Sequence, residues 1–376
     1  MIPAVGGALS PRRRSYIDWA RGIAVLLMIE AHVVDAWTRA ADRESIAFRN
    51  ARIAGGFAAP LFLWLAGVAM VLSASSHLRR SGSRRAALDA VCRRGLEILI
   101  LGYLFRVQAF VLSPGGDPLM LFRVDILNIM GPALVAAALV WGFNRTTAGQ
   151  VIWFGALATA IAMATPVVRG ASTLDTLPVW LQWYLRPAGA QTTFVAFPWA
   201  GFVFAGAAVG ALLAAVNESQ ERTLNICAGL IGAAVIALGF YTATLPPLYR
   251  ESSFWTSSPT YFAVRTGIVM SAVALLFALQ SAVRTSVAWM APLARMGRSS
   301  LFVYWIHVEL VYGYASWLWR GRLPIWAALA GWLAFSVLMY GAIVARDRIV
   351  TRWRAGGLGA RSRRPADSVQ ATRGFV

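Results

Sequence analysis

Ten apolar runs of about 20 residues succeed one another along the chain, each long enough to cross a roughly 30 Å hydrocarbon core as an α-helix. They lie near Ile17–Trp37, Ile53–Ser75, Leu88–Leu112, Phe122–Phe143, Gln150–Val168, Thr193–Val216, Thr223–Thr242, Tyr261–Val283, Ser299–Trp319 and Pro324–Ala345. The first is the most interrupted, because Asp18, Arg21, Glu30, His32 and Asp35 break its apolar pattern. With 58% hydrophobic and only 14% charged residues, a water-soluble domain is excluded and an all-α, polytopic membrane protein of about ten transmembrane helices is expected.

A net charge of +19 would suit a nucleic-acid binder, but its placement along the chain argues otherwise. All 35 basic residues are Arg, and they gather between the apolar runs. Ten passes put both termini on one side. The connecting segments of that side and the two termini hold 22 Arg, against 10 on the opposite side and 3 within spans. The positive-inside bias therefore assigns both termini to the cytoplasm and accounts for most of the charge without nucleic acid. Such a face also attracts anionic lipid headgroups.

Cys92 and Cys227 form no CxxC pair, so neither a disulfide framework nor a metal site is read from them. No cleavable signal peptide is expected at the N-terminus. No repeat or linker divides the chain. The expected organisation is a basic cytoplasmic N-terminal tail over 1–14, one membrane domain over 15–345, and an Arg-rich, disordered cytoplasmic tail over 346–376. In the sixth span, Gly201, Ala205 or Gly206, and Gly210 suit close helix packing.

Ionisable groups inside membrane spans are costly and are functional candidates by default. Arg21 and His32 are eleven residues apart, three helical turns plus about 20°, so they share one face with a rise of about 16 Å between them. Asp35 falls near that face, where it suits orienting the imidazole. An arginine fork near one end and a basic imidazole deeper in fit group transfer from a phosphate-bearing donor to an attacking hydroxyl or amine. Equally open are a snorkelling Arg21 and a His32 that only packs and hydrogen-bonds. Asp18 is a further polar candidate on the same helix.

The ninth span carries a second cluster, Arg298, Ser299, Ser300, Tyr304, His307 and Glu309. Ser299 or Ser300 suits a helix N-cap there. His307 serves either a donor site or a bridge between spans. In the fourth span Arg123, Asp125 and Asn128 form a patch in which structural pairing is the simpler reading. The outer loops 169–191 and 245–260 carry Trp180, Trp183, Tyr184, Tyr249, Phe254 and Trp255, which suit interfacial anchoring or stacking on a sugar.

These residues also carry a family resemblance. Ile17-Asp18-x-x-Arg21-Gly22 with His32 at the Arg-x10-His spacing resembles the first span of the transmembrane acyltransferase superfamily. Ala59-Pro60-Leu61-Phe62, Arg123-x-Asp125-Ile126-Leu127-Asn128, Phe197-Pro198-Trp199 and Gly297-Arg298-Ser299-Ser300-x3-Tyr304-x2-His307 are similar to landmarks of its branch of bacterial relatives of heparan-alpha-glucosaminide N-acetyltransferase. The lysosomal enzyme's later histidine has no match here, since residues 42–56 contain none.

The resemblance implies an integral protein of the bacterial inner membrane that moves an acyl group, usually acetyl, from cytoplasmic acyl-coenzyme A to a sugar hydroxyl or amine of an envelope glycan or glycolipid. It implies His32 as the catalytic histidine and Arg21 near the donor; the residue spacings add Asp35 beside His32, and Arg298, Ser300 and His307 as donor-site candidates. Asp18, Asp125, Asn128 and Tyr304 are further candidates. Acetyl-coenzyme A is the expected donor, with no metal. Partners are then membrane lipids, the donor and the sugar acceptor; a homodimer is compatible with the sequence. The competing expectation is a transporter or flippase for a polar envelope precursor, which would show internal repeat symmetry.

Overall fold

The computed structural model describes residues 14–112, 117–189, 194–282 and 288–361. The basic N-terminal residues before Arg14, the end of the 169–191 loop and residues 362–376 of the expected tail lie outside the described residues. Among those described, the chain forms helices α1 (Ser15–Trp37), α2 (Ile46–Gly55), α3 (Ala58–Ser81), α4 (Arg84–Leu112), α5 (Ile126–Phe143), α6 (Thr147–Gly170), α7 (Val179–Leu185), α8 (Ala196–Ala215), α9 (Glu218–Ala243), α10 (Pro259–Ala282), α11 (Ala291–Arg298), α12 (Ser300–Tyr312) and α13 (Ile325–Arg361). The only pairing of extended backbone among them is an isolated parallel bridge between Thr38 and Leu323.

Contacts between connecting segments sort the bundle into two ends. At one, Arg14 Nε donates to Glu221 Oε1 at 2.9 Å, the Tyr16 N–H to Gln280 Oε1 at 2.8 Å, and Arg346 Nη2 to Ser299 Oγ at 2.9 Å. At the other, Thr38 meets Leu323, Arg169 donates to the Phe197 carbonyl, and the Tyr249 hydroxyl to the Met163 carbonyl. The chain thus passes ten times between the ends. Among the described residues, eight helical segments are long and apolar enough to cross a membrane.

The remaining two passes fall short of that measure for different reasons. α1 has the length but carries charge. With 15 of its 23 residues buried against α2, α3, α10, α11, α12 and α13, it keeps those charges inside protein. α12 has only 13 residues, about 20 Å, and its pass is completed by α11 and a 3-10 turn at Tyr314–Ser316. Ser299 and Ser300 do not cap α12 through their side chains, because the Ser299 hydroxyl is engaged by Arg346. α13 runs beyond Ala345 to Arg361, so the first part of the expected tail is helical.

Between helices in lipid there is little hydrophobic drive, and close packing of small residues takes its place. α8 lies against α3 through Gly206, whose added Cβ would strike the Trp64 carbonyl, and through Gly67, whose Cβ would strike the Val203 carbonyl. α1 and α11 touch in the same way at Gly22 and Gly297. Helix ends follow their sequence signals. Asp125 and Asn128 form a reciprocal capping box on α5, and Asn217 and Gln220 another on α9. Arg84 covers the carbonyls that end α5, donating to Trp141, Gly142 and Asn144.

Candidate functional site

A chamber of about 2050 Å³ runs from one end of the bundle to the other along α1. Single-ligand pockets measure about 300–1,000 Å³, so this chamber has room for two reactants together. Arg21, Ser73, Arg94, Arg298 and Ser300 line its first end. Arg43, Arg49, Arg52, Arg169, Trp255 and Glu309 line the second. Between them the wall presents His32, Asp35, Arg106, Asp125 and Tyr304.

His32 and His307 meet at the centre, their rings stacked at 4.9 Å between centroids. His307 Nδ1 lies 2.8 Å from the Val303 carbonyl and 3.0 Å from that of Tyr304. A carbonyl only accepts, so Nδ1 carries the proton of neutral His307 and Nε2 is left as an acceptor. His32 Nδ1 stands 2.7 Å from that Nε2 and therefore donates to it. In this tautomer the lone pair of His32 sits on Nε2, on a ring that lines the chamber.

Asp35 does not hold the imidazole, as the three-residue spacing led one to expect. Its Oδ2 accepts from the Tyr312 hydroxyl at 3.0 Å, and its carbonyl from Arg43 Nη2 at 2.6 Å. His307 takes the orienting place instead. Fully buried and absent from the chamber wall, it is not positioned to touch a donor there. Arg21, Arg298 and Ser300 do lie together at the first end, brought there by the α1–α11 crossing. Asp18 is buried at that crossing and does not line the chamber.

Asp125 pairs with Arg106 through one carboxylate oxygen and caps α5 through the other. Asn128 is sealed in the packing behind it. Tyr304 faces the chamber one turn before His307. Of the loop aromatics, Trp255 reaches the chamber, Trp183 is buried with its indole N–H on the Ala188 carbonyl, and Tyr184 bonds Tyr103 at 2.6 Å.

Arg106, Tyr312, Trp199 and Arg265 belong to this wall and were not singled out as site candidates from sequence. The two arginines carried a usable signal, since each interrupts an apolar run. Among the described residues no three His, Cys, Asp or Glu side chains are grouped to hold a metal ion. At the first end, three arginines and two serine hydroxyls on the chamber wall fit the phosphates of a nucleotide-bearing donor.

Comparison with known proteins agrees with this architecture. The sequence model of the catalytic domain of heparan-alpha-glucosaminide N-acetyltransferase matches residues 13–249. No curated protein matches the chain significantly. The matched stretch holds α1 to α9, with Arg21, His32 and Asp125, while His307 follows it. The chain, a polytopic membrane protein matched over more than half its length, belongs to the heparan-alpha-glucosaminide N-acetyltransferase family.

Proposed function

We propose that this protein transfers an acetyl group from cytoplasmic acetyl-coenzyme A to a hydroxyl or amine of a sugar on an envelope glycan or glycolipid at the outer side of the bacterial inner membrane. The observation that carries this reading is the His32–His307 contact, which leaves a basic nitrogen at the middle of a chamber open towards both ends. The arginine bias of the loops assigns the Arg21 end to the cytoplasm, and the Trp255 end then receives the sugar.

In this reaction His32 Nε2 takes the proton of the acceptor O–H or N–H as that atom attacks the thioester carbonyl. The new C–O or C–N bond forms, the C–S bond breaks, and the thiolate recovers the proton from His32. The His32 Nδ1–H bond to His307 holds the ring and its tautomer throughout. Arg21 and Arg298 hold donor phosphates, with Ser300 as a hydroxyl partner. A transient acyl-histidine at the same Nε2 is the competing route.

The test is release of free thiol from acetyl-coenzyme A by detergent-purified protein offered a panel of sugars. Wild type should show sugar-dependent release, and His32→Ala should not. Normal turnover by folded His32→Ala overturns the assignment. Sugar uptake into proteoliposomes without coenzyme A would favour transport.

A further inference from the structure

Near the middle of the chamber, a buried carboxylate and one nitrogen of a guanidinium have no hydrogen-bond partner among the described residues. Glu30 is 4% exposed, and neither of its carboxylate oxygens accepts a hydrogen bond among the described residues. Arg265 Nε is likewise buried and unbonded. Both residues line the chamber. They approach the consecutive glycines 55 and 56: a Cβ on Gly55 would strike Glu30 Oε2, and Arg265 Nη2 lies 3.7 Å from the place of a Cβ on Gly56.

No ion pair joins the two among the described residues. Arg265 is instead fixed elsewhere, its guanidinium 4.2 Å from the Tyr261 ring centroid and 5.7 Å from that of Trp199, with Nη2 donating to the Tyr261 hydroxyl at 3.1 Å. The exposed ring of Trp255 stands edge-on to Tyr261 at 5.2 Å. The residues of this wall thus include a carboxylate, a guanidinium and aromatic rings that do not pair the two charges with each other. Buried polar groups are ordinarily satisfied, and a pair left open beside a cavity points to a ligand that satisfies both.

A pyranose has the matching chemistry: hydroxyls or an ammonium for the carboxylate, oxygens for the guanidinium, and a C–H face for an aromatic ring. A phosphate group does not, because Glu30 would repel it. We propose that Glu30, Arg265, Trp199 and Trp255 form the subsite that holds the acceptor's sugar ring, an inference that rests on the transferase reading. Glu30 precedes His32 by two residues, about 3 Å of helix rise, so the ring would sit at the depth of the base.

The experiment uses the full chain in detergent with two probes, methyl β-D-glucopyranoside and its 2-amino-2-deoxy analogue. Binding is read by saturation-transfer NMR and by tryptophan fluorescence. A thermal shift with coenzyme A, run in parallel, reports a folded chamber. Both probes should contact wild type. Glu30→Gln and Arg265→Gln should each weaken them by about tenfold or more, as expected where a built polar site loses its partner. The preference for the amino probe should vanish in Glu30→Gln. Trp199→Phe serves if either of these fails to fold.

Equal sugar binding in wild type and variants, or none by wild type that responds to coenzyme A, overturns the subsite. Sugar binding that depends on Glu30 and Arg265 in a protein indifferent to coenzyme A keeps the subsite and removes the transferase reading.

Discussion

His32 Nδ1 stands 2.7 Å from His307 Nε2 across 275 positions of sequence, and the Val303 carbonyl behind His307 sets the direction of the proton between them. His32→Ala should therefore lower kcat by about a hundred- to ten-thousand-fold, the usual worth of a general base. Acyl transfer from labelled acetyl-coenzyme A measures it.

His307 acts through His32, and its loss has a separate signature. In His307→Ala the His32 tautomer is no longer imposed, so kcat should fall by at least about tenfold. The donor KM should stay the same, and the limb of the pH–rate profile that reports the base should move. A purely structural His307 would lower thermal stability and leave that limb in place.

At the first end of the chamber, Arg21→Ala and Arg298→Ala should each weaken coenzyme A binding by about tenfold, roughly 1.4 kcal/mol. Calorimetry with acetyl-coenzyme A and its desulfo analogue checks this. Unchanged affinity would return Arg21 to a helix-end residue that reaches for headgroups.

The α3–α8 crossing leaves no room for a side chain at Gly206. Gly206→Val should force the helices apart and cost at least the roughly 1–3 kcal/mol of an overpacked core. The readout is a lower Tm and poorer recovery in detergent, with Gly155→Val as the tolerated control because open space surrounds that position.

Asp42 Oδ2 accepts from the Ile325 N–H at 2.8 Å, and this bond, aided by Arg39, holds the carboxyl below its ordinary 3.8. The contribution is complete above that value and is lost as acid carries the pH through the lower folded value. The Tm difference between wild type and Asp42→Ala should therefore be constant near neutrality and vanish in strong acid.

The sharing of a face by Arg21 and His32 was legible because helical angle follows from spacing alone, and both do line the chamber. The Asp125-x-x-Asn128 spacing likewise becomes a local capping box. The partner of His32 was not legible. Asp35 was nearer in sequence, but Tyr312, inside an apolar run, takes its carboxylate, and His307 reaches the imidazole from another helix. The shortness of α12 was hidden too, since hydropathy counts apolar residues and does not register the break after Tyr312. Glu30 and Arg265 were visible as charges in apolar runs, but only the fold sets them beside the same pair of glycines.

The stitching of α1 to the start of α13 has a consequence for biogenesis. The Gly321 and Leu323 N–H groups donate to the Ala36 and Trp37 carbonyls and the Arg39 N–H to the Leu323 carbonyl, so α1 is closed by a segment made about 280 residues later. At a synthesis rate of about 5–20 residues per second, α1 waits on the order of tens of seconds for His307 and this latch. During that interval its charged groups have α2 and α3 beside them but lack α10 to α13, which later complete the enclosure. The most polar pass of the protein thus completes its packing only after α12 is made, and the His32 ring meets its hydrogen-bond partner no earlier.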